Sequence, residues 1–177
     1  MSCFAEERNL DHGYLLSILD YDRDTGRFTW KTHRGKCVPG DIAGSSHPGG
    51  YWVICIDHLK YLAHRLAWFY VTRTWPDEEI DHRDRNRRNN AFENLRQATR
   101  NQNACNHKRR RDNKSGVRGV DWRECKGKWR AHIQHNGRSH HLGYFDSIED
   151  AAEARSAAAL RMFGDFAGEV SDDNLRQ

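Results

Sequence analysis

Apolar and aromatic positions in the first 76 residues follow helix spacing in some segments and strand spacing in others. Residues 13–20 predict a short helix, and the turn formers at 24–26 precede an aromatic strand. Residues 51–56 predict a second strand, residues 57–60 a tight reversal, and residues 63–71 an aromatic-rich helix. This part of the chain is therefore expected to mix helices with short strands.

Residues 80–106 combine a short apolar pattern with many polar side chains. Ile80 and His82 have strand spacing, the Arg- and Asn-rich residues after them predict a loop and a return strand, and residues 95–106 predict a helix. His64, on the preceding helix, is open to a ligand or catalytic role. A lone histidine beside apolar neighbours is more often hydrogen-bonded in a core, so we expect His64 to be structural.

Residues 115–167 alternate apolar and polar positions over three segments, which predicts three strands with one face on a core. Asn136-Gly137 is a two-residue hairpin turn between the second and third strands. Ser147, followed by an acid three residues later, predicts the start of an alanine-rich helix that ends at Gly164. The pattern thus predicts a three-stranded antiparallel sheet with one helix.

The break in pattern near residue 112 favours two small domains of the α+β class. We assign residues 1–107 to a first domain with a β-rich N-terminal extension and residues 108–114 to a basic linker. Residues 115–167 form the second domain and residues 168–177 an acidic tail.

Basic residues are concentrated in one stretch of the chain. From His82 to Arg111 there are ten Lys or Arg against two acids, a net charge of +8 within a total of +4, so the remainder carries −4. A basic block between acidic ends is typical of a surface that binds a polyanion.

Cysteine spacing and hydropathy exclude other classes. The five cysteines, at 3, 37, 55, 105 and 125, contain no close pair, which argues against a CxxC zinc site and a disulfide framework and suits a reducing cytoplasm. No apolar run approaches about 18 residues, and no charged-then-apolar leader is visible, so we expect neither a membrane partner nor a signal peptide.

Asp81 and His82 carry the clearest candidate chemistry. They are adjacent on the predicted strand, so their side chains point to opposite faces unless the backbone bends. A histidine can take a proton from water near neutral pH, and a hard cation can neutralise the charge on a phosphate. The pair is therefore consistent with phosphodiester hydrolysis; the plain alternative is a polar loop stabilised by asparagine turns.

The string from Ile80 to Arg96, IDHRDRNRRNNAFENLR, preceded by HRLAW from His64, resembles the phage and intron-homing branch of the HNH endonucleases. The resemblance implies a ββα-metal fold, in which two strands and a helix hold one divalent ion. The intervals from His82 to Asn94, 12 residues, and to Asn103, 21 residues, are similar to those of homing nickases in this family.

Carried over by position, the resemblance implies that Asp81 binds the metal and His82 is the general base. Asn94 would brace the loop and orient the histidine, and Asn103 would replace the family's final histidine as second ligand; His107 stays open as the alternative. An amide oxygen with a carboxylate favours Mg²⁺ or Mn²⁺. The phosphate contacts would come from arginines in and after this string: Arg83, Arg85, Arg87, Arg88, Arg96, Arg109 and Arg110.

Residues 115–167 resemble the AP2 DNA-binding domain over every strand and the helix. The resemblance implies that the sheet enters the major groove of DNA. Asp121 and Gln134 depart from the arginines that plant members often have there, so the family's sequence preference is not carried over. The implied contact residues are Arg118, Trp122, Arg123, Arg130, His132, Gln134 and Arg138.

Together the resemblances imply a metal-dependent endonuclease that nicks double-stranded DNA as a monomer in the cytoplasm of a bacterial host. The rival is a non-catalytic, sequence-specific DNA-binding regulator with a degenerate nuclease fold. The intact Asp81, His82 and Asn94 favour the enzyme. An RNA-binding role has only the mixture of basic and aromatic residues in its support.

Overall fold

Residues 10–105 and 113–167 are described by the computed structural model, and the chain divides between Ala98 and Thr99 into two units. His107, Arg109, Arg110, most of the basic linker and the acidic tail lie outside the described residues. The elements of the first unit are, in chain order, α1 (His12–Ile18), β1 (Leu19–Asp22), β2 (Arg27–Trp30), β3 (Ser45–Ser46), β4 (Trp52–Ile56), β5 (Leu59–Leu62), α2 (Ala63–Thr72), β6 (Glu79–His82) and β7 (Leu95–Ala98).

The strands of the first unit form three small antiparallel sheets around one apolar core. β1 pairs with β2, β4 lies between β3 and β5, and β6 pairs with β7. Ile80 of β6 and Leu95 of β7 are buried in the core that α1 and α2 share with the other strands. This burial fixes the β6–β7 hairpin, because removing apolar side chains from water is the main favourable term in packing. The core's fully buried large side chains are Leu15, Leu19, Phe28, Ile54, Ile56 and Leu66.

Two local predictions are corrected by strand pairing. The reversal expected at residues 57–60 is a turn at Asp57 and His58, both with positive φ, and Leu59 already belongs to β5. The helix expected over 95–106 begins at Arg100, because Leu95–Ala98 pairs with β6 as β7. Thr99 sets the start of the helix, since its hydroxyl accepts from the Gln102 N–H while Gln102 Oε1 accepts from the Thr99 N–H.

The second unit contains α3 (Arg100–Cys105), β8 (Val120–Arg123), β9 (Lys128–His135), β10 (Arg138–Phe145) and α4 (Ile148–Phe163). The three strands form one antiparallel sheet in the order β10-β9-β8, with α4 packed on one face. The hairpin at Asn136-Gly137 is confirmed, with φ of 50° and 74°. Ser147 accepts from the Asp150 N–H as the predicted N-cap, and Gly164 ends the helix. The α+β fold class predicted from the sequence is confirmed.

In the described part of the chain, no helix combines the length and the apolar character that a bilayer crossing requires.

Candidate functional site

Asp81 and His82 lie side by side on β6, and both are buried, with 5% and 4% of their surface exposed. Asp81 is opposite Arg96 of β7, and His82 is opposite Leu95. A carboxylate and an imidazole are rarely placed in a core without partners, because burial of polar groups costs free energy. The hydrogen-bond and ion-pair partners of Asp81 and His82 therefore bear on the chemistry that these two side chains can perform.

The partner of Asp81 is Arg96. Nε and Nη2 of Arg96 contact Oδ2 of Asp81 at 2.9 and 2.8 Å, and only 10% of the arginine side chain is exposed. Arg96, predicted from the sequence as a phosphate contact, thus neutralises the carboxylate predicted as a metal ligand. Residues 95–98 were expected to be helical but form β7, and the antiparallel register of β6 and β7 places Arg96 opposite Asp81.

The partner of His82 is Asn90. Nε2 of His82 lies 3.2 Å from Oδ1 of Asn90, whose amide nitrogen donates to the carbonyl of Arg88. Because an amide oxygen only accepts, the imidazole proton is on Nε2 and Nδ1 is the basic nitrogen. Burial lowers the pKa of His82, although the Asn90 contact and the nearby Asp84 and Asp81 carboxylates act in the opposite direction. His82 is therefore neutral near pH 7.

Asn90 is itself held by the N-terminal extension. The buried hydroxyl of Tyr21 donates to the carbonyl of Asn90 at 2.7 Å, and burial raises the pKa of this tyrosine, which keeps it a donor. Gly26, with φ of +70°, packs so closely that a Cβ there would lie 2.2 Å from the backbone of Asn90 and Ala91. The turn between β1 and β2 therefore sets the position of the histidine's partner.

Asn94 braces the loop between β6 and β7. Its Oδ1 accepts from the Asp84 N–H at 3.0 Å, and its Nδ2 donates to Asp84 Oδ1 and to the carbonyl of Asn89. The sequence predicted a bracing role and an orienting role for Asn94. The contacts shown here belong to the bracing role, and the hydrogen bond to the His82 imidazole is made by Asn90.

His64 is packed against His82. The ring centroids are 5.0 Å apart in an edge-to-face arrangement, and Tyr51 lies 5.2 Å from the His64 ring and 6.2 Å from the His82 ring. Burial lowers the pKa of His64 to about 3, with the nearby His82 as the next cause. Nδ1 of His64 is buried and has no hydrogen-bond partner among the residues described. His64 is therefore buried, as a core residue would be, while one of its ring nitrogens lacks a hydrogen-bond partner among the residues described.

The other predicted phosphate contacts of the first unit lie on the loop that Asn94 braces. Arg83 is exposed and Arg85 is half-buried with a positive φ. Arg87 stacks over the ring of Tyr51 and donates to the carbonyl of Gly49, and Arg88 donates to the hydroxyl of Ser46. Arg87 and Arg88 are exposed, so they can face a phosphate while they tie the loop to the β3–β4 connection.

The proposed second metal ligand, Asn103, lies on α3 in the second unit, where its N–H donates to the carbonyl of Thr99. Asp81 belongs to the first unit, so a shared cation stays a prediction. Among the described residues, no group of three or more His, Cys, Asp or Glu side chains could hold a metal ion. The two ligands that the resemblance implies, Asp81 and Asn103, would offer a carboxylate and an amide oxygen, which suit a hard cation.

Four predicted contact residues of the second unit share the face of the sheet opposite α4. Alternation along β8 and β9 places Arg123, Arg130, His132 and Gln134 on that face, while Ala131 and Ile133 are buried towards α4. Trp122 instead packs on Trp129, at the edge of the face that α4 covers. Arg138 is opposite His135, which contacts Phe163 of α4, and Arg118 precedes β8.

Sequence reasoning missed Tyr21, Tyr51 and Asn90 as parts of the site. Asn90 is one of two adjacent asparagines, and its spacing from His82 is not one of the intervals that the family resemblance implies. Tyr21 is 69 residues from Asn90, so no local signal connects the two. Asp121, which contacts two arginines of the open sheet face, was noticed only as a departure from a family pattern.

Two family models match the chain. Residues 61–105 match the model described as HNH endonuclease, and residues 115–165 match the model of the AP2 domain. The first match contains Asp81, His82, Asn94 and Asn103, and the second contains the whole sheet of the second unit.

Two relatives are similar to longer parts of the chain. A protein of Acanthamoeba polyphaga mimivirus, named as an uncharacterized HNH endonuclease, is 36% identical over 128 residues, which are 71% of this chain and 63% of that protein. Protein 3.8 of Escherichia phage T7 is 36% identical over 73 residues, 41% of this chain and 60% of that protein. The chain thus spans less than two thirds of the length of either relative. No solved structure matches it significantly.

Proposed function

We propose that this chain, which carries an HNH endonuclease domain followed by an AP2 domain, is a DNA endonuclease that nicks duplex DNA with the help of a divalent cation. The observation that carries the proposal is the β6–β7 hairpin, which buries Asp81 and His82 side by side, each with its own polar partner. A strand that only filled a core would carry apolar side chains at these positions.

His82 is proposed as the general base. Its lowered pKa keeps the imidazole neutral near pH 7, and the Asn90 contact fixes the proton on Nε2, so Nδ1 can take a proton from water. Tyr21, Asn94 and the edge contact with His64 hold the loop and the ring in place. A fixed base lowers the entropic cost of reaching the transition state.

Asp81 and Asn103 are proposed to hold Mg²⁺ or Mn²⁺, with His107 as the alternative to Asn103. The donor chemistry fits a hard ion, since a buried carboxylate is already held in place at Asp81. When bound, such an ion neutralises charge on the phosphate and stabilises the leaving 3′ oxygen. Arg96 neutralises the Asp81 carboxylate when no cation is bound. A cation that binds Asp81 would therefore have to share the carboxylate with Arg96 or displace the guanidinium.

The AP2 domain is proposed to select the site of cleavage by laying the open face of its sheet against duplex DNA. The basic residues from His82 to Arg111 would add phosphate contacts that strengthen binding without choosing the sequence. One catalytic centre per chain implies that a monomer cuts one strand at each visit. We propose the cytoplasm of a bacterial host as the location of this activity, since the motifs resemble those of phage proteins.

Conversion of supercoiled plasmid to the open circular form in Mg²⁺ tests the proposal. We expect the intact protein to nick, His82→Ala to lower the rate by about 100-fold or more, and EDTA to stop the reaction. His33→Ala, which removes an exposed histidine of the same unit, should keep the wild-type rate. Equal rates for His82→Ala and wild type would exclude His82 as the base.

The second candidate function is a non-catalytic DNA-binding regulator. Its supporting observation is the ion pair of Asp81 with Arg96, which neutralises the carboxylate without a metal. A regulator would bind duplex DNA in the same conditions but would leave the plasmid supercoiled with every divalent cation. The plasmid assay, run beside a binding assay at a fixed salt concentration, therefore separates the two functions.

A further inference from the structure

Asp121 is at the centre of a charged cluster on the open face of the AP2 sheet. Its Oδ1 accepts from Nε and Nη2 of Arg130 at 3.0 and 2.8 Å, and its Oδ2 contacts Nε of Arg123 at 2.7 Å. Nδ1 of His132 lies 3.4 Å from Oδ1. Both oxygens of one carboxylate are thus engaged by two arginines from β8 and β9.

The register of the sheet builds this cluster. Asp121 is directly opposite Arg130, and Arg123 follows Asp121 by two positions on β8, so both point to the same face. The arginine side chains are 41% and 29% exposed for Arg123 and Arg130. They are therefore held in place and still accessible to a ligand laid on the sheet.

A single exposed ion pair contributes little to folding, whereas a network of several charges such as this one can contribute more. A contribution to stability is therefore compatible with a second role in orientation. The carboxylate also fixes the orientation of each guanidinium. A guanidinium that is held at Nε has a fixed plane, so its remaining N–H groups point in fixed directions. The contacts with Asp121 are made by Nε and Nη2 of Arg130 and by Nε of Arg123.

Recognition of a base requires an arginine with a fixed orientation. An arginine recognises guanine only when two coplanar donors meet O6 and N7 in the major groove, whereas a mobile arginine contacts any phosphate. The carboxylate also repels phosphates, so it opposes sequence-independent binding at the centre of the face.

We propose that Asp121 is a specificity-determining residue, which holds Arg123 and Arg130 in fixed orientations for base reading and penalises phosphate contacts at the same place. This inference rests on the proposed reading of duplex DNA by the sheet. The inference predicts that removal of the carboxylate, which frees two arginines, changes affinity for unrelated DNA and discrimination between sequences in opposite directions. Affinity for unrelated DNA should rise, and discrimination between sequences should fall.

The test uses the full chain with its Asp121→Asn variant. Duplexes are first selected by the wild type from a random library, and dissociation constants are then measured in EDTA, at one stated salt concentration, for a selected duplex and its scrambled counterpart. We expect Asp121→Asn to bind the scrambled duplex more tightly than the wild type does, and to lose about tenfold or more of the ratio between the two duplexes.

Asp146→Asn is the matched control. Asp146 follows β10 and pairs with Lys128, and its side chain is 84% exposed, so the variant removes one negative charge from the same domain without releasing Arg123 or Arg130. It should keep the wild-type ratio. If Asp121→Asn and Asp146→Asn give the same ratio as the wild type, the inference is wrong.

Two further results overturn the inference for different reasons. If Asp121→Asn loses affinity for both duplexes and its melting temperature falls, Asp121 has a structural role. If the wild type selects no common sequence from the library, the reading function of the sheet fails, and the role of Asp121 fails with it. Selection by the wild type with an unchanged ratio in Asp121→Asn refutes the role of Asp121 alone.

Discussion

Asp81 is compensated by Arg96 at 2.8 Å, in a pair that is almost completely buried. A buried carboxylate that loses its partner is strongly destabilising, because the low local dielectric leaves the charge uncompensated. A cation bound at Asp81 would replace part of the charge that Arg96 supplies. The ion pair therefore links the stability of the fold to the proposed metal site.

Substitution Arg96→Gln should lower the free energy of unfolding by about 3–5 kcal/mol in EDTA, because the guanidinium leaves Asp81. Mg²⁺ or Mn²⁺ should restore more stability to this variant than to the wild type, since binding to the native state alone stabilises it. Urea unfolding with and without the cation measures both effects.

Lys128→Gln, which breaks an exposed pair with Asp146, is the control. It should cost about 0–1 kcal/mol and leave the response to the cation unchanged. Equal cation effects in Arg96→Gln and wild type would argue against a metal at Asp81.

His64 makes stability depend on pH. Burial lowers its pKa to about 3 in the folded protein, against about 6.5 in an unfolded chain. Between these values the unfolded state binds more protons, so the unfolding free energy falls as the pH falls from about 6.5, by at most about 1.4 kcal/mol per pH unit. His64→Gln should therefore flatten the curve of unfolding free energy against pH from 7 to about 4.5. Parallel curves for the variant and the wild type would show that His64 titrates normally.

At the residue level, the sequence predicted what adjacent or regularly spaced positions could reveal. Asp81 and His82 were singled out as an adjacent pair on a predicted strand and Asn94 through the family resemblance, and the side chain of Asn94 contacts the loop between β6 and β7. Asn90 and Tyr21 were missed because their contact joins the loop between β6 and β7 to β1, 69 residues earlier in the sequence. The role of Arg96 was missed because its partner depends on a strand register that only tertiary pairing sets.

At the scale of elements, the β1–β2 turn supports the loop between β6 and β7, which carries the candidate site. The Phe92 N–H donates to the carbonyl of Arg23, and Arg23 lies over the ring of Phe92. With the contact of Tyr21 and the packing of Gly26, three positions in and after β1 therefore hold residues 90–92. The N-terminal extension is thus a structural part of the site.

Gly26→Ala tests this support. A Cβ at residue 26 would lie 2.2 Å from backbone atoms of Asn90 and Ala91, so the loop must move. Gly35→Ala is the matched control, since Gly35 has φ of +60° and nothing within 4 Å of an added Cβ.

The control should cost only the backbone strain of about 1–2 kcal/mol and keep its nicking rate. Gly26→Ala should cost more in urea unfolding and should also nick more slowly, because Asn90 and then His82 are displaced. Equal costs and equal rates for the two variants would contradict a supporting role for the turn.

Local patterns predicted some elements well and others badly. The helix capped by Ser147 and the Asn136-Gly137 hairpin were found because a few neighbouring residues determine them. β7 was assigned to a helix because Leu95–Ala98 consists of good helix formers, whereas pairing with β6 holds this segment extended. β5 was overlooked because its first two residues were assigned to the reversal before it.

At the scale of the whole molecule, the chain contains a unit with a candidate hydrolytic centre and a unit whose sheet is proposed to read DNA. The basic stretch from His82 to Arg111 begins in the first unit and continues past α3. Binding that depends on such a stretch is expected to weaken steeply with salt, while the choice of sequence depends on the sheet.

The most direct measurement is the sequencing of DNA ends produced by the full chain from a random duplex library in Mg²⁺, beside the His82→Ala variant. We predict nicks in one strand, with a 5′ phosphate and a 3′ hydroxyl, near a common sequence, and their disappearance with His82→Ala. Absence of nicks with the intact protein, or the same nicks with His82→Ala, would contradict a hydrolytic centre at Asp81 and His82.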